Sequence, residues 1–222
     1  MTAFTPPRYQ LVIWDFDGTL IPFDSEQFLL EALALRGLRR LGAWLFVYAD
    51  RRGWDPGALK VLYGWCLRGT PTDALDLASH QIASHLAAAD RDALRALSAK
   101  VEMAVLSCGT ADLSHGTLRA AGLEGAFATI EANWLQVRDG RVRGIERRVY
   151  TPEAKVAAAA RYEVPWQQVI AVGDGLTDLP LLDRVGLPIL IADDEKAARF
   201  AGRGYRVVRT LGEAIGAIRA HL

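Results

Sequence analysis

Between residues 9 and 20 the chain is apolar as far as Trp14 and then turns acidic: Leu11-Val12-Ile13-Trp14 runs into Asp15-Phe16-Asp17-Gly18-Thr19-Leu20. A short unbroken apolar run reads as a strand buried on both faces. From Ser25 to about Leu97 the period changes. Phe28, Leu29, Ala32, Leu33 and Arg36 recur at helical spacing, Ser25 is the expected N-cap, and no strand pattern interrupts. Gly37, Gly42, Gly53, Asp55-Pro56-Gly57 and Gly69-Thr70-Pro71 cut this stretch into several short helices. Strand and helix then alternate. Residues 101–106 read as a strand ending at Ser107-Cys108-Gly109-Thr110, and a helix over 111–121 is closed by Gly122. A short strand is expected at 127–130, and runs at 134–137 and 142–146 flank Asp139-Gly140, a hairpin signal. Thr151-Pro152-Glu153 opens a helix, with proline at the favoured first position. Residues 169–172 form a strand ending at Gly173-Asp174-Gly175; strands at 187–192 and 205–208 and helices near 194–201 and 211–220 complete the set.

Strands alternating with helices predict an α/β chain with a parallel sheet and right-handed crossovers. The helical stretch reads as an insertion, residues 23–97, hinged near 20–24 and 86–100, while 1–22 and 98–222 form the sheet domain. Composition narrows the picture little. The 222 residues are 51% hydrophobic, enough for a sizeable core, and Lys+Arg 26 against Asp+Glu 26 leaves no net charge. No nucleic-acid partner is expected of so balanced a chain. Cys66 and Cys108 lack metal spacing, which suits a reduced, cytoplasmic protein. Residues 1–10 carry Pro6, Pro7 and Arg8 but no apolar core of a secretory signal. The apolar run at 41–49 falls short of the ~20 residues of a membrane span. No stable membrane insertion is expected, and nothing in the pattern speaks to oligomeric state.

The chemistry gathers at strand ends. Asp15 and Asp17, Ser107, and Asp174 and Asp178 each follow an apolar strand, and Lys155 lies in the first turns of a helix. Strand C-termini of a parallel sheet converge on one edge, so these groups can meet. Side chains alternate along a strand, so Asp15 and Asp17 would share a face and repel unless a cation or a sharp turn intervened; Gly18 permits the turn. Several carboxylates, a hydroxyl and an ammonium suit a hard divalent cation with an anionic substrate. Mg2+ typically keeps waters and uses one or two carboxylates plus phosphate oxygens. Lys155 and the backbone amides around Gly18 and 107–109 would cradle the phosphate.

Asp15-Phe16-Asp17-Gly18-Thr19-Leu20, Ser107, Lys155 and Gly173-Asp174-Gly175-Leu176-Thr177-Asp178 resemble the four ordered motifs of the haloacid dehalogenase superfamily. The insertion after the first motif is similar to that superfamily's first type of helical cap. Ala132-Asn133-Trp134-Leu135 with 137–142 resembles the hairpin of its phosphoserine-phosphatase-like members. The resemblance implies a Rossmann-like core and a phosphatase acting on a small phosphorylated substrate. Asp15 would be the nucleophile that forms an aspartyl-phosphate, and Asp17 the acid and then the base. Asp15, the Asp17 backbone carbonyl and Asp174 would hold Mg2+, with Asp178 beside them; Ser107, Cys108, Gly109, Gly18 and Lys155 would bind the phosphoryl group. Two positions depart from phosphoserine phosphatases: Thr177 stands for the usual Asn, and Cys108 for a second Gly. Asp24 is the counterpart of their amine-binding glutamate.

Blander readings stand beside these. Asp-x-Asp-Gly can be a polar turn, Ser107 a helix N-cap, Lys155 a solvated lysine and Cys108 a small filler. His80, His85, His115 and His221 show no ligand spacing. Trp44, Phe46, Tyr48, Trp54, Tyr63 and Trp65 read as cap core, or else as an aromatic wall for the leaving group. Arg36, Arg39, Arg40, Arg51, Arg52 and Arg68 read as solvated faces, one of which could reach a second anionic group on the substrate; a basic, aromatic helix can also touch a membrane surface. Transfer of the phosphoryl group to a hydroxyl acceptor, as in a phosphotransferase or mutase, and a catalytically inactive phosphate-binding module remain open alternatives.

Overall fold

Leu11–Trp14 (β1) is buried throughout, and its alternation divides the core. Val12 and Trp14 point into one apolar layer, Leu11 and Ile13 into the other, as the two-residue period of a strand requires. The computed structural model describes residues 9–50, 52 and 54–222. The expected leader-free segment before Tyr9, the Gly53 break and Arg51 lie outside the described residues.

Around β1 runs a seven-stranded sheet in the order β4-β3-β2-β1-β5-β6-β7. Its members are Glu102–Thr110 (β2), Thr129–Arg138 (β3), Arg141–Glu146 (β4), Val169–Gly173 (β5), Leu187–Ile191 (β6) and Arg206–Val208 (β7). All pairings are parallel except the β3–β4 hairpin. β1 lies between β2 and β5, so the ends of all three strands open on one edge.

Helices Ser25–Ala32 (α1), Gly37–Asp50 (α2), Pro56–Leu67 (α3), Thr72–Ala83 (α4) and Ala88–Ser98 (α5) fill the insertion. Ala111–Ala120 (α6), Pro152–Ala160 (α7), Leu179–Leu182 (α8), Asp194–Arg199 (α9) and Leu211–Arg219 (α10) belong to the alternating part. α7, α8 and α9 cover the Leu11/Ile13 face, α5, α6 and α10 the other. Within the insertion α2 packs on α3 and α3 on β4; α4 packs on α6 and α5 on α10.

Several local expectations change. Asp24, not Ser25, caps α1, its carboxylate accepting the Gln27 N–H at 2.8 Å; Ser25 is the first helical residue. Gly42 does not break a helix but lies inside α2, where an added Cβ would stand 2.7 Å from Trp65. Asp55-Pro56 starts α3, with Asp55 accepting from Ala58 N–H at 2.6 Å. The separate strands at 127–130 and 134–137 are one strand, β3, because its first half pairs with β2 and its second with β4. β2 continues through residues 107–110, with a register irregularity there, so Ser107 is a strand residue and not a helix N-cap. Among the described residues no helix is long and apolar enough to cross a membrane.

Candidate active site

The turn after β1 is set by backbone hydrogen bonds. Asp15 N–H continues the ladder to Val172 C=O at 2.9 Å, and Phe16 C=O then accepts from Thr19, Leu20 and Ile21. Gly18 adopts φ +71°, in the region glycine enters freely. The turn pulls the two acids apart. Asp15 meets Lys155, whereas Asp17 accepts the Ser25 N–H at the start of α1, at 2.8 Å. The shared face expected of a regular strand does not form, because the strand ends at Trp14.

Three glycines leave room for three carboxylates. A Cβ on Gly18 would lie 2.5 Å from the Asp174 carboxyl carbon, and one on Gly109 2.5 Å from Asp17 Oδ2. Gly173 stands in the same relation to Asp178. Any side chain at these points would push an acid out of place.

Lys155 ties the acids together. Fully buried, it donates to Asp15 Oδ1 at 2.7 Å and to Asp178 Oδ1 at 2.5 Å. Asp178 Oδ2 accepts the backbone N–H groups of Asp174 and Gly175, each at 3.0 Å, which holds the turn after β5. Lys196, from α9, donates to Asp174 Oδ2 at 2.7 Å. Carboxylate oxygens of Asp15, Asp174 and Asp178 lie within 4.8 Å of one another.

This crowding shifts the titrations. Burial, then the charge of Asp178, pushes Asp15 up to about 7 against the pull of Lys155. Burial and the neighbouring Asp24 hold Asp17 well above the usual carboxylate range, although the Ser25 N–H opposes them. Burial and Asp178 raise Asp174. Burial works against the Lys155 charge, but Asp15 and Asp178 outweigh it and raise its pKa. Four carboxylates, Asp15, Asp17, Asp174 and Asp178, thus share two ammonium groups, Lys155 and Lys196. Every donor is a hard oxygen, so a divalent cation of the Mg2+ type fits the set.

Ser107 is buried and its Oγ accepts the Gly109 N–H at 3.0 Å. The Gly18 N–H donates to Phe23 C=O at 3.2 Å. Both amides expected to cradle phosphate thus have partners in this conformation. Burial pushes the Cys108 thiol up to about 11, which keeps it protonated, as a filler should be. Asn133 anchors the loop from β3: its amide donates to the carbonyls of Cys108, Gly109 and Val149, and its oxygen accepts from Arg148 N–H, all within 3.0 Å.

One cavity of about 400 Å³ collects Asp15, Asp17, Gly18, Asp24, Ser107, Cys108, Gly109, Asp174 and Thr177. Lys155 and Asp178 stand behind Asp15, hydrogen-bonded to it or to its neighbours. None of the insertion's six aromatic residues named above lines this cavity, so the aromatic wall is not found; Phe23 contributes the ring instead. His85 sits edge-on to Phe23 and Phe28, and His115 against Trp134, as packing residues.

Sequence reasoning missed Glu26, Lys60, Thr110 and Lys196. Buried Glu26 on α1 accepts from Lys60 of α3 and, at 2.7 Å, from the Thr110 hydroxyl at the end of β2. Burial raises the Glu26 pKa, and Lys60 opposes it. Two signals were present. Glu26 lies on the apolar stripe of α1 with Leu29 and Leu30. Only four of the 26 basic residues are lysines, and three of those four, Lys60, Lys155 and Lys196, pair with acids in this region.

A model of the haloacid dehalogenase-like hydrolase family matches residues 12–183. Among solved structures, a hydrolase of the same family from Salmonella enterica subsp. enterica serovar Typhi aligns at TM-score 0.70 and 22% identity, over 87% of this chain and 66% of that one. The chain thus spans about two thirds of that protein's length. A probable phosphoserine phosphatase from Vibrio cholerae aligns at TM-score 0.74 and 20% identity, over 98% of this chain and 67% of that one. A phosphoserine phosphatase solved as a phospho-aspartyl intermediate analogue aligns at 0.70 and 20%, over 95% and 99%. At these identities the likeness is one of fold.

Proposed function

The chain belongs to the haloacid dehalogenase-like hydrolases, and on that premise we propose that it hydrolyses the phosphate monoester of a small metabolite through an aspartyl-phosphate on Asp15. The observation that carries this reading is the separation of two nearby acids: Asp15 is held by an ammonium group at the cavity, and Asp17 is held by the backbone amide at the start of α1. One is prepared to attack and the other to keep a proton.

In the first half-reaction an Asp15 carboxylate oxygen bonds to phosphorus as the bond to the leaving oxygen breaks, and Asp17 gives that oxygen its proton. In the second, Asp17 takes a proton from water; the water oxygen bonds to phosphorus, the Asp15–phosphorus bond breaks, and phosphate leaves. Lys155 offsets the repulsion between Asp15 and a phosphate anion, and Ser107 is placed to bind a phosphoryl oxygen. Asp15, the Asp17 carbonyl and Asp174 would hold Mg2+, which would supply further charge neutralisation on the phosphoryl group. Asp178, with both oxygens already engaged, positions Lys155 and the Asp174 turn.

A cavity of about 400 Å³ matches small metabolites rather than polymers. Asp24 on its wall suits a substrate amine, and phosphoserine is the first compound to test, alongside a panel of phosphorylated metabolites. Free phosphate released from p-nitrophenyl phosphate with Mg2+, and lost in Asp15→Asn, is the expected result. Unchanged turnover in that variant would remove Asp15 from the mechanism.

A further inference from the structure

The insertion's aromatic residues separate into two groups. Phe46 and Tyr63 are core, their rings 5.3 Å apart between α2 and α3. Trp44, Tyr48, Trp54 and Trp65 are exposed, which corrects the expectation that all six form cap core. On α2 the exposed apolar residues follow helical spacing. Leu38, Leu41, Trp44 and Tyr48 share one face, with Leu38 76%, Leu41 60% and Trp44 61% exposed. The opposite face, Gly42, Phe46 and Ala49, is buried. A helix apolar on its core side and again on its solvent side has a second use for that surface.

The charge around this face is mostly basic, with Glu31 of α1 the acid that lines the same groove. Residues 36–68 contain six arginines against two aspartates, in a chain with no net charge. Arg36 and Arg40 line an apolar groove with Trp44. Trp44 stacks on Tyr48 at 5.3 Å, and Arg52 lies over the Tyr48 ring at 4.4 Å. A two-fold dimer through this face would bring two arginine-rich patches together, because an isologous interface uses the same patch on both copies. Tryptophan beside arginine on a short helix instead suits the boundary of an anionic bilayer, where the ring sits at headgroup depth and the guanidinium meets lipid phosphate.

We propose that the outer face of α2, with Trp65 of α3 beside it, docks peripherally on an anionic lipid surface. The helix has 14 residues, so it lies on the surface and does not span. The docking face is separate from the catalytic cavity, since none of Leu38, Leu41, Trp44 or Trp65 lines it.

The test uses the whole chain with vesicles of phosphatidylcholine alone and of phosphatidylcholine mixed with phosphatidylglycerol. The expected result is co-sedimentation with the mixed vesicles only, a blue shift of tryptophan emission, and release at high salt. Trp44→Ser with Leu41→Ser should weaken binding tenfold or more. Arg36→Gln with Arg40→Gln should weaken it about thirtyfold, from the loss of two basic contacts. Turnover of p-nitrophenyl phosphate should be unchanged in both, which separates this proposal from the catalytic one. Failure to bind mixed vesicles, or equal binding to neutral ones, would overturn it. So would concentration-dependent dimerisation that Trp44→Ser abolishes, since the face would then belong to a second copy.

Discussion

Asp15 and Asp17, one residue apart, have different partners, a lysine ammonium for the first and a backbone amide for the second, and the proposed mechanism gives them different work. Asp15→Asn should lower turnover by at least about 10⁴-fold, measured as phosphate release, while circular dichroism stays that of the parent. Asp17→Asn should lose about 10²–10⁴-fold, the usual worth of a general acid–base group. With p-nitrophenyl phosphate, whose leaving group needs no proton, it should also accumulate phosphorylated enzyme, because the base of the second step is missing. Lys155→Met leaves Asp15 and Asp178 buried without their cation, a loss of about 3–5 kcal/mol readable in denaturant titration. Chain order made the motif residues legible: the aspartates and Ser107 come at the ends of apolar strands, and Lys155 lies in the first turn of a helix that Thr151-Pro152 announces. Lys196 was not, since nothing local in Asp194-Glu195-Lys196 says that α9 brings its ammonium to Asp174.

The active-site elements depend on close approach. Gly18 was legible as a turn residue and Gly109 and Gly173 as residues at strand ends, but the approach of Gly18 to Asp174 and of Gly109 to Asp17 is a fact of packing between separate segments and leaves no local trace. Gly18→Ala combines φ +71° with a clash against Asp174. It should weaken Mg2+ binding by tenfold or more in calorimetry, and unaltered binding would contradict that reading. Asn133 makes four hydrogen bonds from a fully buried side chain. Asn133→Ala should cost about 3 kcal/mol, at roughly 1 kcal/mol or more for each buried group left unpaired, and should raise hydrogen exchange at Cys108 and Gly109. The insertion was legible as helical from its period, but which of its faces are buried was not: α4 leans on α6 and α5 on α10, contacts that join distant segments. We propose residues 23–97 as the cap, with the Lys60–Glu26 pair tying α3 to α1.

Across the whole molecule, the alternation of strand and helix already implied a sheet with its acids on one edge, and the sheet order places β1 between β2 and β5 as that requires. The zero net charge hid two local features: a cluster of buried carboxylates at the site and a run of arginines over residues 36–68. The first has a consequence for stability. Five carboxylates, Asp15, Asp17, Glu26, Asp112 and Asp174, have raised pKa values, so the folded state binds protons more tightly than the unfolded chain between about pH 4 and 7. Stability of the metal-free protein should therefore fall as pH rises through that window. His115, lowered by burial, opposes this as a single group. From pH 5.5 to 7.5 Asp15 alone, with its pKa raised to about 7, accounts for roughly 2 kcal/mol, or about 4–8 °C in Tm for a chain of this size. Adding Mg2+ should restore more at pH 7.5 than at 5.5, since protonated carboxylates ligate poorly; a Tm of the metal-free protein that rises with pH would contradict the assignment.

The central claim is a covalent bond between Asp15 and phosphorus. It is tested by mixing the enzyme with Mg2+ and p-nitrophenyl phosphate labelled at phosphorus, quenching in acid during turnover, and mapping the label by peptide. Label on the peptide that spans Leu11 to Leu20, absent from Asp15→Asn, is the predicted result. Phosphate release with no labelled enzyme, or with label on another residue, would contradict it.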